Sequence, residues 1–252
     1  MRWLLLVALS AGMAGAQDRR IPVIVELFTS EGCSSCPAAE GLLARLQRTQ
    51  PVPGVRIIAL EEHVDYWNEL GWPDPFSSPQ YRGRQNDYAL AFGVDSIFTP
   101  QMVVNGQAGF VGDDANRAIH EIGQAAQSPS IAVELKATPN ARDPKLVDLF
   151  TRVTNSRSAK AREAAVYLAV TENDLISNVS RGENGGRQLR HSSVVRSFGL
   201  IGRIDSRGAQ VGQVVSTLKL PPEWRRENLQ AVVFVQERET FRITGAGVID
   251  LR

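Results

Sequence analysis

The chain has 252 residues and a nearly balanced charge, with 28 Lys plus Arg against 27 Asp plus Glu and a formal net charge of +1. This length suits one large domain or two modest ones. Because the near-neutral charge leaves no basic stripe along the chain, nucleic acids are excluded as expected partners.

The first residues have the pattern of an export signal. A positive charge at Arg2 precedes an apolar run that begins at Trp3, and small residues then lead to Ala14-Gly15-Ala16, the A-x-A pattern of a signal-peptidase site. The run is shorter than the roughly 20 residues that span a bilayer. We therefore expect residues 1–16 to be a signal peptide, not a retained anchor, and the cleaved protein to be periplasmic or secreted with no membrane attachment.

The next segments predict a crossover unit of a parallel sheet. PVIVELF, residues 22–28, is an almost continuous apolar run, as expected of a strand buried on both faces. Residues 37–50 place apolar side chains at helical spacing, and residues 55–67 begin as a second buried strand before turning polar and aromatic. The order strand, helix, strand is typical of a right-handed crossover.

A second helix and a β-hairpin are expected further along. Residues 79–94 are interpreted as helical. FTPQMVVNGQAGFVG, residues 98–112, predicts a hairpin, because Asn105-Gly106 suits the positive φ angles of a type I′ turn. Asp113 or Asp114 can cap a third helix that follows.

The pattern changes at SPS, residues 128–130. From this point about seven short alternating segments, separated by turn residues, predict an antiparallel sandwich. The sequence thus predicts an α/β domain over residues 17–129 and an all-β, sandwich-like domain over residues 130–252.

The two cysteines of the chain, Cys33 and Cys36, lie where the first predicted strand passes into the first helix. Unpaired N–H groups at a helix start favour a thiolate at Cys33, and Cys36 can attack a mixed disulfide formed there. A disulfide closing so short a loop would stabilise the fold little, and a zinc site would need two further ligands. We therefore interpret the pair as redox-active, with Cys33 as the accessible nucleophile and Cys36 as the resolving thiol.

FTSEGCSSC and FTPQMVVNG, in this order, resemble the thioredoxin-like superfamily, in which a CxxC pair at a helix start faces a Thr-Pro step before a hairpin. The resemblance implies a thioredoxin-like α/β fold, a Cys33–Cys36 disulfide in the oxidised form, a cis peptide bond at Pro100, and a substrate-strand contact at Thr99. Together with HVDYWNELGWPDPF and RGENGGRQLRHSSVVR, the motifs are similar to a family of exported bacterial proteins of unknown function.

Two further side chains are candidates for general acid–base catalysis. Glu26 lies in the first strand, roughly where thioredoxin carries a buried carboxylate, and burial would raise its pKa and suit it to accept the Cys36 proton. The alternative is a Glu at the solvent end of the strand. His63, at the end of the second strand, either lies beside Cys33 and assists thiolate formation or only bonds local backbone.

Two segments have two interpretations each. Trp67, in the aromatic excursion of residues 66–78, could line a groove for a partner peptide or could pack the excursion onto the domain. The glycine-rich loop 181–191 could be a solvated hairpin turn or could pack beside the redox site. His120 and His191 have no motif around them and are interpreted as structural.

These observations predict an exported thiol–disulfide oxidoreductase that acts on protein or small-molecule disulfides, needs no cofactor and exchanges electrons with protein or peptide thiols. Two alternatives belong to other classes. The first is a chaperone for copper or another soft metal, with Cys33, Cys36 and His63 as ligands. The second is a non-catalytic adaptor whose disulfide is inert.

Overall fold

A computed structural model describes residues 20–128, 130–143, 145–154, 163–205 and 211–252; the predicted signal peptide lies outside them. The strands and helices are β1 (Ile21–Thr29), α1 (Cys36–Thr49), β2 (Val55–His63), α2 (Pro79–Phe92), β3 (Gln101–Val104), β4 (Ala108–Val111), α3 (Ala115–Ala125), β5 (Ala132–Pro139), β6 (Leu146–Thr154), β7 (Glu163–Glu172), β8 (Leu175–Asn178), β9 (Gln188–His191), β10 (Val194–Asp205), β11 (Val211–Lys219), β12 (Leu229–Glu237) and β13 (Ile243–Asp250). Within these ranges no helix combines the length and apolarity that a membrane crossing requires.

The largest sheet is mixed and contains eight strands in the order β13-β12-β7-β10-β2-β1-β3-β4. β1 pairs with β2 in parallel, as the crossover pattern predicts, and α1 connects them. β10 also runs parallel to β2, while β7, β12 and β13 continue the sheet with antiparallel pairs. A three-stranded sheet, β11-β6-β5, and a two-stranded sheet, β8-β9, complete the described strands.

The predicted fold class, a thioredoxin-like α/β domain followed by a separate β-sandwich, is wrong. β10 from the second half of the chain lies directly against β2 from the first half, and the N–H of Glu61 donates to the carbonyl of Ser193 at 2.9 Å. The large sheet therefore runs through both halves. The alternating pattern after residue 130 identified strands, but alternation does not specify which sheet edge a strand joins. An open edge of β2 offers unpaired backbone groups that a distant strand can cover.

Local turn and cap chemistry agrees with the sequence interpretation. β3 and β4 form the predicted hairpin, with φ angles of 47° at Asn105 and 67° at Gly106. The Asn105 side chain also accepts a hydrogen bond from the Ile24 N–H at 2.8 Å, which ties the turn to β1. Asp114 caps α3 by accepting from the Arg117 N–H at 2.9 Å.

The period-two alternation of β1 divides the core around it into two layers. Val23, Val25 and Leu27 pack towards α1 and α3, whereas Ile24 and Phe28 pack with residues of α2. The start of α1 and the side chains of α2 therefore lie on opposite faces of the sheet.

The three-stranded sheet packs on the part of the large sheet that contains β7 and β12. Val147 and Leu149 of β6 join a buried cluster with Val166 of β7 and Val233 of β12. Two packed β layers thus exist in this region, but one of them is the continuation of the sheet that carries β1 and β2.

Candidate redox site

Cys33 and Cys36 form a disulfide, with their Cα atoms 5.4 Å apart. After β1, the Cys33 N–H donates to the Ser30 carbonyl at 3.1 Å, and the Cys36 N–H donates to the Cys33 carbonyl at 3.2 Å. α1 begins at Cys36 and has Pro37 in its first turn, where a missing N–H costs nothing. The helix therefore begins within one residue of the predicted segment 37–50, and Cys33 lies in the preceding loop.

The disulfide is buried although the loop that carries it reaches the surface. Cys33 exposes 1% of its surface and Cys36 none, while Ser34 and Ser35 between them are exposed. In the disulfide form Cys33 is thus shielded, and the expected accessibility of its thiol in the reduced protein stays a prediction. A loop from the second half of the chain packs against the disulfide segment and covers it.

The cover is the glycine-rich loop of residues 181–187. Asn184, fully buried, donates through its side chain to the carbonyls of Glu31 at 2.9 Å and of Cys33 at 3.0 Å. Glu183 accepts from the Ser34 N–H at 2.9 Å. Asn184 therefore packs against the disulfide segment, while the other residues of the loop are exposed to solvent.

The Thr99–Pro100 peptide bond is cis, as the resemblance implies. Pro100 lies close to α1, since a Cβ built on Gly112 would be 3.2 Å from the Pro100 Cβ and 3.1 Å from the Ala39 Cβ.

Trp67 connects the disulfide loop to the Thr-Pro step. Its Nε1 donates to the Thr99 hydroxyl at 2.8 Å, and its Cβ lies 3.0 Å from the position that a Cβ on Gly32 would take. Because Trp67 is half-buried, its indole both packs the excursion onto the sheet and presents a surface beside the disulfide loop.

His63 is fully buried and both of its ring nitrogens contact carboxylates. Nδ1 lies 2.7 Å from Asp74 Oδ2, and Nε2 lies 2.9 Å from Glu61 Oε1. Burial alone would lower the pKa of His63, but Asp74 and Glu61 outweigh it and hold that pKa well above its usual value. Cys33 and Cys36 are joined in the disulfide, so in this form the structure does not present the proposed soft-metal ligand set of Cys33, Cys36 and His63.

His191 lies next to His63, with ring centroids 5.0 Å apart. Its Nδ1 is 2.9 Å from the same Glu61 Oε1, and its Nε2 is 3.2 Å from Glu31 Oε1. Burial would lower the pKa of His191, yet its contacts with Glu31 and Glu61 raise that pKa to about 9. Burial would raise the pKa of Glu61, but its contacts with His191 and His63 outweigh burial and lower that pKa.

Glu40 lies one helical turn after Cys36 and is buried. Its Oε1 accepts from the Thr29 hydroxyl at 2.6 Å, and its Oε2 lies 3.6 Å from His191 Nδ1. Burial, followed by the charge of Glu61, raises the pKa of Glu40 to about 7. We use the term acid–imidazole cluster for the buried group of Glu31, Glu40, Glu61, His63, Asp74 and His191.

Sequence reasoning found only His63 among these residues. Glu40 has a local signal, because a spacing of four residues from Cys36 places both on one face of a helix. His191 and Asp74 have no such signal, since the strand pairing and the excursion that bring them to His63 are not encoded by spacing.

The structure does not bring Glu26 to the cysteines. Glu26 is buried on the face of the sheet that packs against α2, where it forms an ion pair with Arg84 and accepts from the Tyr88 hydroxyl at 2.5 Å. Because α1 occupies the other face, the proton acceptor predicted for Cys36 is not Glu26. Alternation along β1 decides this, since Glu26 shares its face with Ile24 and Phe28.

A family of proteins of unknown function, DUF1223, matches residues 24–236. The chain belongs to this family. No curated protein matches the chain significantly. Among solved structures, protein AGR_C_4864 from Agrobacterium tumefaciens aligns with a TM-score of 0.68 and 24% identity over 92% of this chain and 96% of that chain. HBP35 of Porphyromonas gingivalis aligns with a TM-score of 0.64 and 16% identity over 92% of this chain and 76% of that one. At these identities the likeness extends to the fold of this DUF1223 protein and not to an activity.

Proposed function

We propose that this DUF1223 protein is a thiol–disulfide oxidoreductase whose reactive group is the Cys33–Cys36 pair. The observation that carries the proposal is the disulfide itself, which joins the two cysteines of the chain across a single turn at the start of α1. A bond that closes so short a loop removes little entropy from the unfolded chain. Reversible electron transfer accounts for the pair better than stabilisation does.

The exchange follows from the position of each sulfur. In the reduced form the Cys33 thiolate attacks one sulfur of a substrate disulfide, and the first substrate thiolate leaves. Cys36 then attacks the Cys33 sulfur, which releases the second substrate thiolate and restores the protein disulfide. Two electrons pass to the substrate, and its two thiolates take up from solvent the protons that Cys33 and Cys36 released; the reverse sequence oxidises a dithiol. Ser35 supports this assignment, because its hydroxyl oxygen lies 3.4 Å from the Cys33 sulfur and can donate to a thiolate there.

A substrate has to reach Cys33 past the loop of residues 181–187. We propose that an extended substrate lies beside Trp67, Thr99 and Pro100, which adjoin the disulfide segment on the side of β3. The loop contacts that cover Cys33 are hydrogen bonds from Asn184 and to Glu183, which a substrate backbone can replace.

The test is a redox equilibrium between the purified protein and glutathione buffers, read by thiol alkylation and mass. We expect a reversible couple at a potential above about −300 mV, because structural disulfides have potentials below that value. The Cys36→Ser variant should accumulate a mixed disulfide at Cys33, whereas Cys33→Ser should not. A bond that resists reduction throughout this range, or mixed disulfides formed equally by both variants, contradicts the proposal and favours the adaptor.

Export is part of the same proposal, because a persistent disulfide needs an oxidising compartment. The A-x-A pattern at Ala14–Ala16 supports it. Expression of the full chain in a Gram-negative host, followed by fractionation and N-terminal sequencing, should recover a periplasmic protein that begins at Gln17. Recovery from the cytoplasm with residues 1–16 intact would contradict this part.

A further inference from the structure

We propose that Glu61, His63 and His191, with Glu40 as a fourth ligand, form a binding site for a divalent transition metal of the zinc type. One ligand atom from each of Glu61, His63 and His191 lies within 4.8 Å of the other two. Glu61 Oε1 is 2.9 Å from both His63 Nε2 and His191 Nδ1, so two imidazoles and one carboxylate oxygen converge on one point. This site is independent of the proposed disulfide chemistry.

The opposite ring nitrogen of each histidine is held by a carboxylate. His63 Nδ1 faces Asp74, which also accepts from the N–H groups of Glu31 and Phe76. Since an ionised carboxylate only accepts, Asp74 keeps a proton on His63 Nδ1, and Nε2 is the nitrogen that faces the centre of the group, where it contacts Glu61 Oε1. A metal ion that binds Nε2 has to displace the proton that Nε2 shares with Glu61. Metal-binding histidines have this arrangement, in which an outer carboxylate fixes tautomer and ring orientation.

His191 repeats the arrangement with the nitrogens exchanged. Its Nε2 lies 3.2 Å from Glu31 Oε1, an ion-pair contact that is not aligned as a hydrogen bond. The other carboxylate oxygen of Glu31, Oε2, accepts a hydrogen bond from the Trp72 indole N–H at 2.6 Å, which holds the carboxylate in place. His191 Nδ1 is therefore directed towards Glu61 and His63, as an inner ligand would be.

Glu40 completes the donor set from α1. The Thr29 hydroxyl holds its Oε1, and its Oε2 lies 3.6 Å from His191 Nδ1. Two imidazoles with carboxylate oxygens are the ligands of Zn²⁺ and of neighbouring divalent transition metals. Calcium and magnesium prefer sets made of oxygen alone, so the two imidazoles disfavour them.

A cavity borders the proposed site at His191. This cavity of about 560 Å³ is lined by His191 and Ser192 together with Ala44 and Gln47 of α1. His191 belongs both to the lining of this cavity and to the proposed ligand set.

The test uses protein with the Cys33–Cys36 disulfide closed, so that thiolates cannot bind the metal. Calorimetric titration with Zn²⁺ should give one site per chain, and Ca²⁺ or Mg²⁺ should not compete. We expect His191→Ala and His63→Ala to weaken Zn²⁺ binding at least 100-fold, and Asp74→Asn to weaken it about 10- to 100-fold through the outer shell. The matched control is His120→Ala, which removes the exposed histidine of α3 and should leave binding unchanged.

Cobalt provides a second readout that does not depend on stable variants. Co²⁺ added to the oxidised wild-type protein should show visible d–d bands of a low-coordinate nitrogen–oxygen site without a thiolate charge-transfer band, and the same spectrum should persist in Cys33→Ser/Cys36→Ser. The proposal is overturned if oxidised wild-type protein binds neither ion, if His120→Ala loses binding, or if binding requires the free thiols.

Discussion

Asn184 donates a hydrogen bond to the backbone carbonyl of Cys33 at 3.0 Å, although the two residues lie 151 positions apart in the chain. The same amide donates to the carbonyl of Glu31 at 2.9 Å. One buried side chain from the second half of the protein therefore fixes the backbone on which the disulfide is built. We therefore expect access to the sulfurs to depend on this contact.

Asn184→Ala should destabilise the fold and expose the disulfide. Two buried carbonyls lose a donor, and the expected cost is about 2 kcal/mol, since Cys33 keeps its bond from the Cys36 N–H. Chemical denaturation measures the stability, and the initial rate of disulfide reduction by a small dithiol should rise. Asn178→Ala in the neighbouring hairpin, where the amide is exposed, is the control. Equal reduction rates for Asn184→Ala and wild type would show that the loop does not cover the sulfurs.

Glu183 makes the loop contact depend on pH. Hydrogen bonds from Ser34 lower the pKa of this carboxyl below its ordinary 4.5. The stabilisation is therefore complete above about pH 4.5 and is lost as pH falls through the lowered value. Glu183→Gln should reduce the hydrogen-exchange protection of the Ser34 amide at neutral pH, and the difference from wild type should vanish at low pH. Glu69→Gln, at another exposed position, should show no such convergence.

Glu26→Ala should affect stability and leave the thiols unchanged. The change leaves Arg84 buried without its closest carboxylate, and removing one member of a buried pair costs about 3–5 kcal/mol. The pH dependence of Cys33 alkylation in the reduced protein should match wild type, because Glu26 lies on the other face of the sheet. A shift in the alkylation profile with no loss of stability would restore Glu26 to the redox site.

Gly106→Ala and Gly54→Ala form a matched pair. Both glycines have positive φ, 67° and 75°, so each substitution should cost about 1 kcal/mol from backbone strain. At Gly106 the new Cβ would also lie 2.1 Å from the Phe241 carbonyl oxygen, whereas nothing lies within 4 Å at Gly54. Gly106→Ala should therefore cost about 3 kcal/mol or more. Similar unfolding free energies for the two variants would mean that the hairpin turn does not pack against Phe241.

Trp67→Phe should keep the packing against Gly32 and remove the hydrogen bond to Thr99. The expected loss of stability is about 1 kcal/mol. If Trp67 and Thr99 form the proposed substrate surface, the rate of exchange with a disulfide-containing peptide should fall, while exchange with glutathione should change little. Thr99→Val removes the same hydrogen bond from the other side and should reproduce the stability loss. An unchanged peptide rate in both variants would confine Trp67 to a packing role.

The sequence by itself determined the features that depend on neighbouring residues. The apolar run of residues 22–28, the spacing in residues 37–50 and the dipeptide Asn105-Gly106 each predict an element that the structure contains. Cys33 and Cys36 are close enough in the chain for their disulfide to follow from the motif. These properties follow from side-chain period, turn chemistry and short spacing, which act before distant segments meet.

Only the tertiary structure decided how the two halves combine. β10 lies against β2, Asn184 covers Cys33, and His191 joins His63 across Glu61. The fold-class prediction failed for the same reason, because the strands after residue 130 were identified without their partners. Strand pairing depends on which backbone edges are still unpaired once the chain has collapsed, and a local pattern of apolar and polar residues does not contain that information.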